Sequence, residues 1–159
     1  MRLPIRAVAV ILKESEILVM HRIKNGKEYY VLPGGGVEDS ETIEQTVLRE
    51  VQEETSIKAR VIKPLYHLRI VSEPNNSDQY YFLCEYLEGV PRLGIANESE
   101  KMKLGNDFYE PVWYPISKID QILLFPLEIR DWLINDIKNG FHNSKKEAVY
   151  KISELRQSI

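Results

Sequence analysis

The segment from Leu32 to Ile57 reads LPGGGVEDSETIEQTVLREVQEETSI, and it decides how the rest of the chain is interpreted. It begins with a Pro-Gly-Gly-Gly turn and continues through an acidic loop into a helical pattern. Thr42 is a good N-cap, and Gln45 three residues later completes a capping box. We therefore predict a helix that begins after Thr42 and ends near Thr55. Its buried face is formed by apolar residues at helical spacing, namely Ile43, Val47, Leu48 and Val51.

Three glutamates share another face of the same helix. Glu50, Glu53 and Glu54 stand at positions i, i+3 and i+4, so their side chains lie close together. Like charges at this spacing repel by about 0.2–0.5 kcal/mol per pair, and a helix C-terminus disfavours acids. The pattern alone is compatible with a solvated acidic surface or with a carboxylate cluster for a hard divalent cation such as Mg²⁺, which prefers oxygen ligands.

The residues around the cluster distinguish these two interpretations. After Gly35 come five residues, Glu41, seven residues and then the run REVQEETSI from Arg49 to Ile57. This spacing closely resembles the Nudix box, G-x5-E-x7-R-E-U-x-E-E-x-G-U, in which U is apolar. One fixed position differs, because Ser56 stands where the box has glycine. Chance would rarely match so many positions. The chain is identified as a member of the Nudix hydrolase family, with a weaker resemblance that extends to about Asn135.

The resemblance implies an α/β fold, a Nudix-type α/β/α sandwich with a mixed β-sheet and the box as a loop-helix-loop. Strands that stand before, between and after two main helices favour the same architecture. The second helix is predicted to have Pro126 at its first position and to reach Asn139–Gly140. The predicted strands are Arg6–Leu12, Ile17–His21, Tyr29–Leu32, Gln79–Leu87 and Val112–Ile116, with one or two more across Ile57–Ser72 and a break near Pro64. Residues 22–28 and 89–110 are predicted as loops, and the segment from about 141 to 159 is left open.

Length and composition indicate one ordinary globular domain over residues 1–159. Hydrophobic residues make up 43% and charged residues 28% of the chain. The net charge of −3 argues against a broad nucleic-acid surface, so no nucleic-acid partner is expected. No signal peptide is recognised, and no apolar run approaches the roughly 20 residues that span a bilayer. The single Cys84 excludes an internal disulfide and fits a reducing compartment. We expect a cytoplasmic protein without a membrane partner, and a homodimer is an open possibility because family members are often dimers.

The resemblance also implies a reaction and a set of site residues. The reaction is hydrolysis of a nucleoside diphosphate linked to another moiety, by attack of water on phosphorus with Mg²⁺ or Mn²⁺ as cofactor. Arg49 maps to an arginine that pairs with a box glutamate and fixes its rotamer. Glu41 maps to a supporting acid that holds Arg49 or a water molecule, and Arg22 lies near a position that often contacts substrate phosphate. The implied metal ligands are Glu50, Glu53, Glu54 and the backbone carbonyl of Gly34.

Several alternatives remain open at this stage. The preferred general base is a box glutamate, Glu50 or Glu53, but Glu98 and Glu100 in the long loop are further candidates. A non-catalytic Nudix-fold sensor that binds a nucleotide derivative is the alternative function, and an RNA-decapping enzyme is a narrower one. Modified nucleoside triphosphates, ADP-ribose, dinucleoside polyphosphates and nucleotide sugars all remain possible substrates. Ser56 is expected to alter the helix end more than the chemistry.

Overall fold

The computed structural model describes residues 4–72, 76–93, 108–142 and 146–154. These residues form nine strands, two α-helices and two short 3₁₀ helices. In chain order the elements are β1 (Ile5–Lys13), β2 (Glu16–Lys24), β3 (Lys27–Val31), β4 (Gly34–Gly36), α1 (Ile43–Thr55), β5 (Lys58–Val71), β6 (Ser77–Glu88), β7 (Phe108–Pro115), a 3₁₀ helix (Ile116–Gln121), β8 (Leu124–Phe125), α2 (Leu127–Lys138), β9 (Lys146–Lys151) and a second 3₁₀ helix (Ile152–Glu154). No helix within these ranges is both long and apolar enough to cross a bilayer.

The strands form one mixed sheet. Its order is β8-β3-β2-β1-β6-β5-β9, with β4 paired to β1 and β7 paired to β2. The pairs β1–β6, β3–β8 and β5–β9 are parallel, whereas the remaining pairs are antiparallel. The mixed sheet predicted from the sequence is therefore confirmed.

The two helices cover opposite faces of this sheet. Ala9 belongs to the buried cluster that contains Val51 of α1, whereas the adjacent Val10 belongs to the cluster that contains Leu133 of α2. Successive side chains of a strand point to opposite faces, so the two clusters lie on the two sides of β1. The predicted α/β/α sandwich is confirmed, and α1 is the helix of the Nudix-box resemblance.

A fork opens between β1 and β2. The two strands pair only beside their connecting turn, through Leu12 with Ile17 and Lys13 with Glu16. Farther from the turn β1 pairs with β4 along Arg6–Val8, while β2 pairs with β3 from Met20 to Lys24 on the edge that β1 has left; β7 pairs with the other edge of β2 from the turn onward. Because each of the two strands exchanges its partner, the sheet splits there into two parts, one that contains β1 and one that contains β2. We refer to the gap between β1 and β2 as the fork.

Three local predictions were wrong. β5 continues through Pro64 without a break, although its pairing with β6 shifts register there. Proline is tolerated because it stands where the ladder between β5 and β6 is irregular, a place where a backbone donor can be missing. β2 and β3 extend into the predicted loop and leave a two-residue hairpin turn at Asn25 and Gly26, both with positive φ. Pro126 is the N-cap of α2 and not its first residue.

The predicted long loop is shorter than expected at its C-terminal end. β7 begins at Phe108, four residues before the predicted start at Val112, because the hydrogen bonds of these residues are made with β2. The open C-terminal segment contributes β9, a parallel edge strand on β5. Glu98 and Glu100, the alternative general bases, lie outside the described residues.

Candidate active site

Helix α1 has the ends that its sequence predicts. The Thr42 hydroxyl accepts a hydrogen bond from the Gln45 backbone N–H at 3.0 Å, and the Gln45 side chain accepts one from the Thr42 backbone N–H at 2.8 Å. At the other end Ser56 is the C-cap with φ 63° and ψ 15°, the left-handed conformation that glycine adopts without strain. Its hydroxyl donates to the backbone carbonyl of Arg92 at 3.0 Å, which offsets part of the conformational cost.

Arg49 is the hub that organises the acids of this helix. Its Nε and one terminal nitrogen donate to the two oxygens of Glu41 at 2.8 and 2.9 Å. The other terminal nitrogen donates to Glu50 at 2.9 Å and to Glu53 at 3.2 Å. A further bond reaches the Gly36 carbonyl at 3.1 Å. Only a guanidinium offers this many donors in one plane, so the position uses the geometry of arginine as well as its charge.

Glu41 supports Arg49 and is fixed from several sides. Hydrogen bonds from the Arg49 guanidinium, the Glu38 backbone N–H and the Thr46 hydroxyl lower the pKa of Glu41 to about 2. The Thr46 bond is 2.7 Å long, and Thr46 is fully buried. Glu41 is therefore a permanent anion that holds Arg49 against the box loop. Its contact with Arg49 is observed, and its supporting role in the reaction stays a prediction.

Glu50 lies against the backbone of the glycine run. A Cβ atom added to Gly35 would come within 3.0 Å of all three atoms of the Glu50 carboxylate. Gly35 thus leaves the space that this carboxylate occupies, a requirement that no larger residue could satisfy. The side chain of Glu50 is only 17% exposed, and it forms an ion pair with Arg49.

Glu54 is partly buried and is held through both of its carboxylate oxygens. The Gly34 backbone N–H donates to one of its oxygens at 3.2 Å, and the Tyr109 hydroxyl donates to the other. Burial, followed by the neighbouring charge of Glu50, raises the pKa of Glu54, although the bonds from Tyr109 and Gly34 oppose this rise. Two carboxylates are thus crowded together behind the glycine run, with too few cations between them.

Glu53 differs from its neighbours. Its side chain is 53% exposed, and Arg49 bonds to it at the i, i+4 spacing. Among the described residues no three His, Cys, Asp or Glu side chains already converge as a metal centre. Arg49 bonds to Glu50 and Glu53, while Tyr109 and Gly34 bond to Glu54. The metal-ligand roles of Gly34, Glu50, Glu53 and Glu54 remain predictions.

A basic cavity lies next to these acids, at the fork. Its volume is about 480 Å³. Arg22 lines it from β2, and the Arg22 guanidinium lies 4.9 Å from the ring centre of Tyr109 and 5.6 Å from that of Tyr29. The Nε of Arg22 is buried without a hydrogen-bond partner, which is costly for a charged donor. Because Tyr109 contacts both Arg22 and Glu54, the cavity adjoins the acidic cluster.

Tyr109 is a site residue whose place sequence reasoning missed. It lies within residues 89–110, the segment predicted as a loop. Its position depends on the pairing of β7 with β2, which sets Tyr109 opposite Arg22. That pairing joins residues far apart in the chain, and no local pattern in the sequence indicates it.

Comparisons with known proteins agree with this site. A family model described as the NUDIX domain matches residues 3–134. The chain is 28% identical to the RNA pyrophosphohydrolase of Pelagibacter ubique over 144 residues, which cover 80% of the chain and 87% of that protein. It is 35% identical to the ADP-ribose pyrophosphatase of Methanocaldococcus jannaschii over 104 residues, which cover 61% of the chain and 60% of that relative. The crystal structure of a NUDIX hydrolase from Nitrosomonas europaea has the same fold, with a TM-score of 0.69, 18% identity and coverage of 96% of the chain and 80% of that structure.

The chain therefore belongs to the Nudix family. This membership confirms the family and the α/β fold predicted from the sequence. With the relatives it also confirms the predicted enzyme class, a Nudix pyrophosphohydrolase. The chain spans about three fifths of the M. jannaschii relative, so that protein's substrate does not transfer directly.

Proposed function

We propose that this chain is a divalent-metal-dependent hydrolase that cleaves the pyrophosphate bond of a nucleoside diphosphate linked to another moiety. The observation that carries the proposal is the adjacency of two opposite charge clusters at the fork. Glu50 and Glu54 are crowded behind the glycine run, and Arg22 faces the neighbouring cavity with a buried, unpaired Nε. The acidic cluster can bind a cationic cofactor, and the basic cavity beside it can bind an anionic substrate.

The donors fit a hard divalent cation. Carboxylate oxygens are the ligands that Mg²⁺ and Mn²⁺ prefer. The mutual repulsion of Glu50 and Glu54 supports the assignment, because a cation between them would remove it. When bound, such a cation neutralises phosphate charge and lowers the pKa of water, which prepares a nucleophile at neutral pH. Glu50 and Glu54 would hold it, with the Gly34 carbonyl and Glu53 as the further predicted ligands.

The protein side chains have separate tasks in the reaction. The oxygen of a water molecule attacks one phosphorus, the bond from that phosphorus to the bridging oxygen breaks, and the water proton passes to a carboxylate. Glu53 is the better placed proton acceptor of the two box candidates, because it is the most exposed, while Glu50 is enclosed against Gly35. Arg49 and Glu41 position these acids without contacting the reacting atoms.

Arg22 binds the phosphate that flanks the scissile bond. Its guanidinium can donate two parallel hydrogen bonds to a phosphate, and such charge-assisted bonds are about twice as strong as neutral ones. Stacking between Tyr29 and Tyr109 holds the guanidinium plane in place before the substrate arrives. We expect Arg22→Met to raise KM more than it lowers kcat, since the bond forms in the ground state as well as in the transition state.

The two relatives are named for RNA and for ADP-ribose, and both names state the cleavage of a pyrophosphate bond. The proposal is limited to this shared feature and to small nucleotide derivatives as the first substrates to test. The cytoplasmic location and the homodimer expected from the sequence stay predictions.

The test is a phosphate-release screen with Mg²⁺ and Mn²⁺, run on the wild type, Glu53→Gln and Glu44→Gln. Glu44 is an exposed glutamate in the first turn of the same helix, so its variant controls for charge and for folding. The panel contains nucleoside triphosphates, ADP-ribose, dinucleoside polyphosphates and nucleotide sugars. We expect metal-dependent turnover that is lost in Glu53→Gln and kept in Glu44→Gln. Equal turnover in all three proteins would refute catalysis by the box.

A further inference from the structure

The cavity at the fork contains more positive charge than one diphosphate needs beside a divalent cation. Four cationic side chains line it, and none of its described lining residues is acidic. They are Arg6, Arg22, Lys24 and Lys27. Like charges repel, so such a group is retained where an anionic ligand offsets the repulsion. The box acids lie near Arg22 through Tyr109, whereas no ion pair within the described ranges neutralises Arg6 or Lys24.

The cations occupy two distinct places along the fork. Arg22 and Lys24 are two residues apart on β2, so their side chains leave the same face and their Cα atoms are about 7 Å apart. Arg22 lies at the Glu54 end through Tyr109, whereas Lys24 ends β2 beside the hairpin turn. A phosphate held by Arg22 next to the acids is therefore distinct from an anion held at Lys24.

Arg6 lines the cavity from the side of the fork opposite to Lys24. It stands on β1 opposite Gly36 of β4, where β1 has already separated from β2. In the described part of the chain neither Arg6 nor Lys24 forms an ion pair with a carboxylate. Both side chains are exposed, so a ligand can reach them without breaking an ion pair of the described residues.

We propose that the substrate carries a second phosphate, separate from the scissile diphosphate, and that Arg6 and Lys24 bind it across the fork. The inference rests on the proposed function, because it assumes that the diphosphate lies between Arg22 and the box acids. Arg6 and Lys24 are specificity-determining residues in this scheme, and they take no part in the bond cleavage itself.

Two kinds of molecule present this chemistry. One is a small dinucleotide or coenzyme with a phosphate on a sugar hydroxyl, and the other is an RNA 5′ end with its first phosphodiester. The test uses three pairs of ligands. NADP⁺ and NAD⁺, like coenzyme A and dephospho-coenzyme A, differ by this phosphate alone. The triphosphorylated dinucleotide pppApG differs from ATP by the phosphodiester and its guanosine, so in this pair the variants of Arg6 and Lys24 assign the effect to the phosphate. Dissociation constants are measured by calorimetry in EDTA, so that binding is separated from turnover, and kcat/KM is then measured with Mg²⁺.

We expect the member with the additional phosphate to bind about tenfold more tightly in at least one pair, as one partly screened charge-assisted contact would give. Arg6→Met and Lys24→Met should each reduce this preference, while Lys118→Met, which removes an exposed charge outside the cavity, should retain it. A preference confined to the first two pairs identifies a small nucleotide, and one confined to the third identifies RNA.

Equal binding of both members in all three pairs would overturn the inference, as would a preference that survives both cavity variants. Failure of the proposed function gives a different result. The phosphate-dependent binding would then be present in EDTA, but no substrate would be cleaved with Mg²⁺ or Mn²⁺. Melting temperatures of the three variants verify that each is folded.

Discussion

Three consecutive glycines make the strongest test of the site, because each has different surroundings. Added Cβ atoms would meet the backbone of Ala7 and Val8 at Gly34, the carboxylate of Glu50 at Gly35, and nothing within 4 Å at Gly36. The same substitution, glycine to alanine, should therefore damage the fold at the first position, the site at the second and neither at the third. None of the three has a positive φ, so left-handed backbone strain does not confuse the comparison.

The expected loss of unfolding free energy at each glycine depends on which atoms must move to make room for the added methyl group. At Gly34 the obstructing atoms are backbone atoms of β1 that cannot rotate away, so Gly34→Ala should cost about 3 kcal/mol of unfolding free energy. At Gly35 the end of a flexible side chain can retreat, so Gly35→Ala should cost only about 1 kcal/mol. Gly36→Ala should be neutral or stabilising by up to about 1 kcal/mol, since alanine reduces the entropy of the unfolded chain.

In Gly35→Ala the added methyl group displaces the Glu50 carboxylate, and this displacement should weaken metal binding. We expect Gly35→Ala to bind Mn²⁺ about 10–100-fold more weakly than the wild type, the range found when the surroundings of a ligand are disturbed. Gly36→Ala should bind it normally. Calorimetric titration with Mn²⁺ and thermal unfolding measure both effects without a substrate. Equal Mn²⁺ affinities and equal melting temperatures for the Gly35 and Gly36 variants would refute the placement of Glu50.

Three further results are expected. Ser56→Gly should stay within about 0.5 kcal/mol of the wild type, because relief of the left-handed strain offsets the lost hydroxyl bond, while Ser56→Ala should lose about 1 kcal/mol in thermal unfolding. Tyr109→Phe removes a donor to Glu54 and should weaken Mn²⁺ binding about tenfold. Tyr86→Phe should not, because the Tyr86 hydroxyl donates to the Gly89 carbonyl and not to a box acid. Burial opposes ionisation of Asp78, but its arginine and histidine partners lower its pKa below 3.8, so its stabilising effect is complete at neutral pH and is lost as the pH falls below that value. The difference in melting temperature between Asp78→Asn and the wild type should accordingly narrow below about pH 4; a constant difference would contradict this.

Local sequence signals account for α1 and its acids. The capping box, the apolar spacing and the glutamate spacing all act within a few residues, so they can be interpreted without knowledge of the fold. The same is true of Ser56, whose left-handed conformation follows from its position after the last helical turn. These features were predictable because the interactions that decide them are short-range.

The cavity was less predictable from the sequence, because the interactions that form it are long-range. Arg22 has a role only because β7 pairs with β2 and brings Tyr109 next to Glu54. β7 itself was assigned too late in the sequence, since a partner strand supplies the hydrogen bonds that define it. The parallel β9 also depends on a distant strand, and its short sequence has no unambiguous period. Pairing across long separations leaves no local pattern to interpret.

The fork explains how the box glutamates and the cationic residues of the cavity can lie in one site without forming ion pairs with each other. If β1 and β2 paired along their whole length, Arg6 and Lys24 would lie on neighbouring strands of a closed sheet and no cavity would separate them. The exchange of partners to β4 and β3 opens the gap, and β4 places Gly34 against β1, while β7 on the other edge of β2 places Tyr109 opposite Arg22. Arg49 then neutralises the acids from their own side, so Arg22 remains available to a ligand. The charge separation is thus a consequence of strand pairing, and it would be lost in any variant that closed the fork.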